Sequence, residues 1–459
     1  MVYYKYEIMK GNTQMKRIAF LLALCIMLGA VGCAQGADEP LTEDTVQTEE
    51  GTEMEENTVI PPDDFSPKAT IVNKNGAKGV VTYVIDDYFR SEASFAMDMM
   101  DTYDNLTFSF AVTTKDLATF KTQRGSDGKL EYVKDSNGKY VYDVNEANVA
   151  FLQNVLDTGR AEIISHSHSH AFWGTDDEGG IYEYIKNDNS INTSDEMPKG
   201  STSKELYASK QVIADLFPSQ RSISFVDPGI GIKTVDVTMG GKTYVTYKKY
   251  FNEVLSGMIE SGEYIGSRGT FQATSGFDKY VNTRFSLATL EGRMNVRAFM
   301  ILDKNSGEEI ENWTNYIDEA LKLGGWACFC IHKMTPKVDS VYHYILQSEA
   351  NKLFKYTSRL GDDVWVATFT DAMLYFSEWS SASVSAEYAD GRIKVKLTDK
   401  ENDSVYNAPL TVKVTVPESW SQVRVGEKTL DVKRSDKGVT FVYVDVVPDT
   451  APVEIVRAN

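Results

Sequence analysis

Three of the chain's five histidines stand at alternate positions in one stretch, "AEIISHSHSH", residues 161–170. A strand with this pattern lines up three imidazoles on one face. A turn or helix start instead brings only His166 and His170 together, four residues apart. Two adjacent aspartates, Asp86 and Asp87, close the run "GVVTYVIDD", and another histidine, His332, closes "WACFCIH". One carboxylate and two imidazoles make a familiar set for a divalent metal, leaving positions open for water and substrate. A metal so held lowers the pKa of its water and polarises a carbonyl. A spare carboxylate can then act as base and a distant histidine as acid. Asp227, Arg268 and Asp303 close further apolar runs; Arg268 and Asp303 read equally well as ordinary surface ions.

Such residues need a scaffold that gathers the ends of strands. From about 68 to 380, short apolar runs rich in Val, Ile and Phe alternate with helical stretches. "GVVTYVIDD" precedes "SEASFAMDMMDTY", "AEIISH" precedes "SKELYASKQVIADLF", and "WACFCIH" precedes "YHYILQSEANKLFKYTSRL". Alternating β and α with near-continuous apolar strands predicts an α/β fold whose parallel sheet closes as a (β/α) barrel. Functional residues of a barrel gather at the C-terminal ends of its strands. Residues 121–144 interrupt the alternation, and their Asn-Gly turn predicts an inserted hairpin. From about 383 the helices stop. Runs such as "PLTVKVTVP" and "VTFVYVDVV" alternate with period two and predict a small all-β, sandwich-like domain.

With 459 residues, 42% apolar and 25% charged, the chain is expected to be globular and to hold more than one domain. A net charge of −19 argues against nucleic acid as a partner. Lys16 and Arg17 precede the apolar run "IAFLLALCIMLGAV", which is short for a membrane span and fits a secretory signal. "LGAVGC" resembles a bacterial lipobox, which implies lipid on Cys33 and a membrane as partner through that lipid. From Asp38 to Asp64 there are acidic residues and no Lys or Arg, which predicts a disordered tether. The expected organisation is a signal peptide with lipobox (1–33), an acidic tether (34–67), a barrel (68–382) and a small β-sandwich accessory domain (383–459). Cys328 and Cys330 flank Phe329, point the same way on a strand, and read as buried small hydrophobes.

Over roughly 70–380, "TYVIDDYF", "HSHSH" after "AEII", and "WACFCIH" occur in the order of the motifs of NodB-like polysaccharide deacetylases, carbohydrate esterase family 4, and resemble them. The resemblance implies an irregular (β/α) barrel. It implies that Asp87, His166 and His170 hold a divalent metal, zinc with cobalt or nickel as alternatives. Ser167 then braces the loop, and His168 need not bind metal. Asp86 becomes the general base and His332 the general acid. The implied activity is metal-dependent hydrolysis of N- or O-linked acetyl groups on a polysaccharide or cell-wall glycan at the cell surface.

This chain departs from the family's pattern in two places. Tyr88 stands where a glycine often follows the aspartate pair, and with Trp173 it is a candidate contact for a sugar ring. The family's Arg-Pro-Pro-Tyr segment is "FVDPGIG" here, with Pro228 kept and no arginine to hold the base. Arg268, following "EYIGS", is expected to reach Asp86 from another strand, and Asp303 to orient His332. The competing reading is a non-catalytic glycan-binding lipoprotein on the same fold.

Overall fold

A computed structural model describes residues 65–458, apart from 88–89, 127, 129, 169, 171–172, 176–180, 184–200, 221–222, 229–235, 240–241, 247, 302–307 and 338–343. The expected signal peptide, Cys33, nearly all of the acidic tether, Tyr88 and Asp303 therefore lie outside the described residues. Trp173 is placed by its backbone alone, at the start of a short strand, Trp173–Thr175.

Seven parallel strands follow the alternation of the sequence: β1 (Gly79–Asp86), β2 (Phe108–Val112), β3 (Ala161–Ser165), β4 (Phe225–Val226), β5 (Ser267–Phe271), β6 (Val296–Met300) and β7 (Trp326–Ile331). They pair in chain order, and β7 closes on β1 in the register Trp326–Val80 to Ile331–Ile85. An eighth strand, β8 (Val364–Val366), pairs with the start of β1, while β2 pairs with its end. The sheet is thus a closed but irregular barrel.

Period-two alternation divides each strand between two cores. On β1, Val81, Tyr83 and Ile85 pack with the surrounding helices, whereas Val80 and Val84 pack inside with Ala111, Ala298, Cys328 and Cys330. In this phase Asp86 faces inward at the end of β1. The small inward residues near the strand ends leave room for a large side chain, the fully buried Arg268, while Trp326 fills the opposite end.

Helices flank the strands: α1 (Arg90–Thr102), α2 (Glu146–Leu156), α3 (Ser201–Leu216), α4 (Lys248–Glu260), α5 (Glu308–Leu323), α6 (Gln347–Arg359) and α7 (Phe369–Ser381). Ala350, Leu353, Phe354 and Thr357 of α6 are buried at the spacing of one helical face, and Thr357 meets the Tyr83 hydroxyl at 2.6 Å. α7 closes the lower end of the barrel. Its Phe376 ring stacks on Trp326 at 5.8 Å, and its first amides donate to Ser109 Oγ (2.8 Å, from Phe369) and Glu162 Oε1 (3.0 Å, from Thr370).

The insertion between β2 and α2 forms small antiparallel pairs, Ala118–Phe120 with Tyr142–Val144 and Thr122–Arg124 with Leu130–Tyr132. Its tip turns at Asn137-Gly138, where Gly138 takes φ 80° and Asp135 Oδ1 accepts from the Asn137 and Lys139 amides.

After α7 the chain forms two antiparallel sheets. One contains β9 (Ser383–Ala389), β10 (Arg392–Thr398), β12 (Gln422–Val425), β13 (Lys428–Asp431) and β15 (Val453–Arg457). The other contains β11 (Leu410–Thr415), β14 (Thr440–Val446) and the short strand Lys433–Arg434. Its fourth strand is Ala69–Ile71, which pairs with β11. Residues 69–71, expected within the barrel range, thus join a sheet made with strands that follow α7, where Ile71 adds to the apolar face of Val412, Val414, Val442 and Val444. Arg293 from the barrel side grips Glu401 with two hydrogen bonds (2.9 and 2.6 Å), tying the two parts together.

Candidate active site

The inward phase of the strands, read to their C-terminal ends, brings the candidate residues together. Asp86 ends β1, Asp87 follows it, His166 follows β3, and His332 follows β7. Asp87 Oδ1 lies 3.7 Å from His166 Nε2 and 3.6 Å from His170 Nε2. One ligand atom from each of the three residues falls within 4.8 Å of the other two. Nitrogen and oxygen ligands at about 2.1 Å from a tetrahedral metal stand about 3.4 Å apart, so the set has the spacing of a metal cradle. The His166 Nδ1 contacts the Val226 carbonyl at 3.0 Å. A carbonyl only accepts, so Nδ1 carries the proton and Nε2 keeps its lone pair toward the cradle. Burial and neighbouring His166 push the His170 pKa down to about 4 against the pull of Asp87, which keeps this imidazole in the neutral form that ligates.

The backbone is bent to make this set. Asp87 (φ 56°), Ser167 (63°) and His170 (58°) are three of the six non-glycine residues with positive φ among the described residues. Such conformations cost energy and collect at functional sites. The Ser167 hydroxyl accepts from the His170 amide at 3.0 Å, closing the turn that sets His170 against Asp87. The rings of His166 and His170 meet nearly edge to face, 4.7 Å between centroids.

His168 leaves this group. It is buried beneath the insertion, its ring 4.4 Å from that of Phe120, and its Nδ1 meets Thr114 Oγ1 at 3.0 Å. Burial, with help from Lys115, pushes its pKa down to about 3. The alternating pattern therefore reflects a turn that sends two imidazoles to one cluster and the third to another.

Asp86 and Arg268 form a buried ion pair through Asp86 Oδ2. Burial alone raises the pKa of Asp86; Arg268, with His166 and His332, outweighs it and holds the carboxyl below the usual carboxylate range. The other oxygen, Oδ1, is buried and accepts no hydrogen bond from the described residues. His332 Nε2 stands 4.0 Å from Asp86 Oδ2. Burial lowers the His332 pKa, against the pull of Asp86 and Asp87.

Arg268 does not end its strand, as the sequence had suggested. β5 starts at Ser267 and continues to Phe271, because Thr270 and Phe271 extend the pairing with Ala298 and Phe299. Arg268 lies level with Val226 on the neighbouring strand, and its carbonyl accepts from the Asp227 amide at 3.3 Å. The arginine missing from "FVDPGIG" is thus supplied one strand away, at the same height in the barrel. Asp227 is itself buried beside this pairing.

Sequence reasoning missed Cys330. Its Sγ lies 3.3 Å from Asp86 Oδ2 and 3.9 Å from His332 Nδ1. Burial pushes its pKa well up, so the thiol is neutral and donates to the carboxylate. The i, i+2 spacing from Cys330 to His332 at the end of an apolar strand was the signal that could have found it.

Fold and site together define a parallel (β/α) barrel with an Asp-His-His set and an arginine-held aspartate at its C-terminal strand ends. No family model matches the chain. An alignment 212 positions long, covering 43% of the chain, is 27% identical to a gellan lyase from a Bacillus species and spans only 8% of the length of that protein. The Xyl-CE4 domain of a multidomain xylanase from the hindgut metagenome of Trinervitermes trinervoides is similar with a TM-score of 0.29 and 10% identity, over 64% of this chain and 89% of that one. A Mycobacterium smegmatis protein assigned as a polysaccharide deacetylase is similar with a TM-score of 0.34 and 9% identity, over 67% and 93%. A modular endo-β-1,4-mannanase from Cellulomonas fimi is similar with a TM-score of 0.31 and 12% identity, over 81% and 89%.

Proposed function

We propose that the chain is a metal-dependent hydrolase that removes acetyl groups from a polysaccharide or cell-wall glycan. The observation that carries this reading is the division of labour between two consecutive residues. Asp87 joins His166 and His170 in a metal cradle, while Asp86 is buried, ionised and held by Arg268. The motif resemblance to NodB-like deacetylases supports it. When bound, a divalent metal polarises the acetyl carbonyl and makes water a better nucleophile. Two nitrogens and a carboxylate suit zinc, with cobalt or nickel as alternatives.

Asp86 takes the proton from the attacking water through its free Oδ1, while Arg268 and Cys330 keep Oδ2 engaged. The water oxygen bonds to the carbonyl carbon. The bond to the glycan nitrogen or oxygen then breaks, and His332 gives that leaving atom a proton, so acetate and a free amine or alcohol result. Glycan contacts from Tyr88 and Trp173, and orientation of His332 by Asp303, belong to this reading; their side chains lie outside the described residues.

The test is metal content measured together with acetate release from acetylated xylan, chitin oligomers and peptidoglycan. One metal per chain and acetate from at least one substrate support the proposal. A metal-free protein that releases no acetate defeats it in favour of a glycan-binding role. At the N-terminus, lipid on Cys33 places the enzyme on the outer face of the cell membrane. Cys33→Ser is expected to move the protein from the membrane fraction to the medium, and unchanged retention counts against the anchor.

A further inference from the structure

Directly opposed residues of antiparallel strands share a face. In the sheet built on β11, Thr70 stands opposite Lys413, and Lys413 opposite Tyr443. One row along, Thr415 stands opposite Phe441, and Phe441 opposite Lys433. Lys68 lies beside Thr415, and the turn at 435–439, which carries Lys437 and Asp436, comes from the opposite edge strand to line the same cleft. Lys68, Thr70, Lys413, Thr415 and the 435–439 turn line a cleft of about 560 Å³ in which three lysines, Lys68, Lys413 and Lys437, meet one carboxylate, Asp436.

The rest of the chain is acidic, with a net charge of −19. Elsewhere some lysines are neutralised: Lys78 pairs with Asp363, Lys139 with Asp215 and Lys210 with Glu263. Among the described residues, Lys68, Lys413 and Lys437 pair with no carboxylate. The Lys413 ammonium instead sits 3.9 Å from the centroid of the Phe441 ring, and the Lys433 ammonium 5.1 Å from that of Tyr443. A ring holds an ammonium in place without cancelling its charge. Thr415 Oγ1 accepts from the Lys68 amide at 2.7 Å, which leaves its hydroxyl proton to donate outward.

We propose that this cleft binds an acidic polysaccharide. The lysine ammonium groups meet the carboxylates of the sugar chain, and the Thr70 and Thr415 hydroxyls meet its hydroxyl groups. The chain's overall negative charge does not forbid this. Charges are screened over about 8 Å at physiological ionic strength, so the local lysines govern contact. A concave cleft of this size suits a segment of a polymer, whereas a lipid surface calls for a flat or convex basic face. The proposal rests on the second domain and does not depend on deacetylation.

The experiment titrates the full chain with polygalacturonate, with hydroxyethylcellulose as an uncharged polymer, and with phosphatidylglycerol vesicles as a non-glycan polyanion. Binding is expected for polygalacturonate alone, weakening about tenfold as salt rises from low to about 0.3 M. Lys413→Met combined with Lys437→Gln is expected to weaken it about tenfold or more. Lys322→Gln with Lys352→Gln, the same change of net charge on α5 and α6, should alter it by less than about twofold. Lys437→Gln alone, on an exposed turn, gives a partial loss in a variant whose folding is not at risk. Absence of polygalacturonate binding at low salt, an equal loss in the α5–α6 variant, or vesicle binding lost with the same cleft lysines overturns the proposal.

Discussion

Two carboxylates are buried at opposite ends of one barrel and titrate in opposite directions. Asp86 closes β1 at the upper end, where Arg268, His166 and His332 hold its pKa down despite burial. Glu162, near the start of β3 at the lower end, accepts only neutral donors, Ser109 Oγ at 2.7 Å and the Thr370 amide at 3.0 Å. Burial pushes its pKa up to about 7, and those hydrogen bonds offset this only in part. Equal burial ends in opposite shifts because a full positive charge outweighs desolvation and neutral dipoles do not. One end of the barrel is arranged to keep a charge for chemistry, and the other to close the core.

The largest expected effect tests whether the upper end is the working end. His170→Ala should empty the metal cradle and reduce acetate release to background, as measured by metal content and turnover. Asp86→Asn should keep the metal and lower turnover by about a hundredfold or more. Near-normal turnover in Asp86→Asn would remove its role as base and dissolve the contrast.

The next pair should differ in sign. Arg268→Met leaves Asp86 buried without its counter-charge, and denaturant titration should show a loss of about 3–5 kcal/mol. For Glu162 the folded pKa lies above the unfolded one. The stability it contributes is therefore complete below about 4.5, the ordinary value, and is lost as pH rises to about 7. Glu162→Gln should flatten that slope and be more stable than the parent at pH 8 by roughly 3 kcal/mol. A variant that follows the parent's pH curve unchanged would mean that Glu162 is ionised in the fold.

The smallest effect extends the contrast to the histidines. His168→Ala should retain its metal and most of its turnover, and lose about 1–2 kcal/mol through its contacts with Thr114 and Phe120. Loss of metal in this variant would show that the histidines are assigned in the wrong register.

The barrel was legible because each strand is a near-continuous apolar run followed by a helical stretch, and strand ends marked Asp86, Asp87, His166 and His332. The phase within the strands was legible only in part. "EYIGSR" looked like a strand ending on Arg268, yet the strand starts at Ser267 and runs on to Phe271, because Thr270 and Phe271 still pair with β6. Cys330 looked apolar because its contact with Asp86 spans two strands far apart in sequence. The positive φ angles of Asp87, Ser167 and His170 left no trace in composition, as none of the three is glycine. Ala69–Ile71 is too short to announce which sheet it joins.

That short strand also sets a clock. Ile71 pairs with Val412 and Ala69 with Val414, partners about 340 residues away in the chain. A ribosome working at about 5–20 residues per second takes roughly 20–70 s to cover that distance. Throughout this interval the barrel strands can form one after another as they emerge, while Ala69–Ile71 waits with an open edge. The second domain closes over the start of the described chain only when its own last strands exist. A stop codon just after α7 therefore removes more than an appendage: it leaves the first of the described strands without its partner.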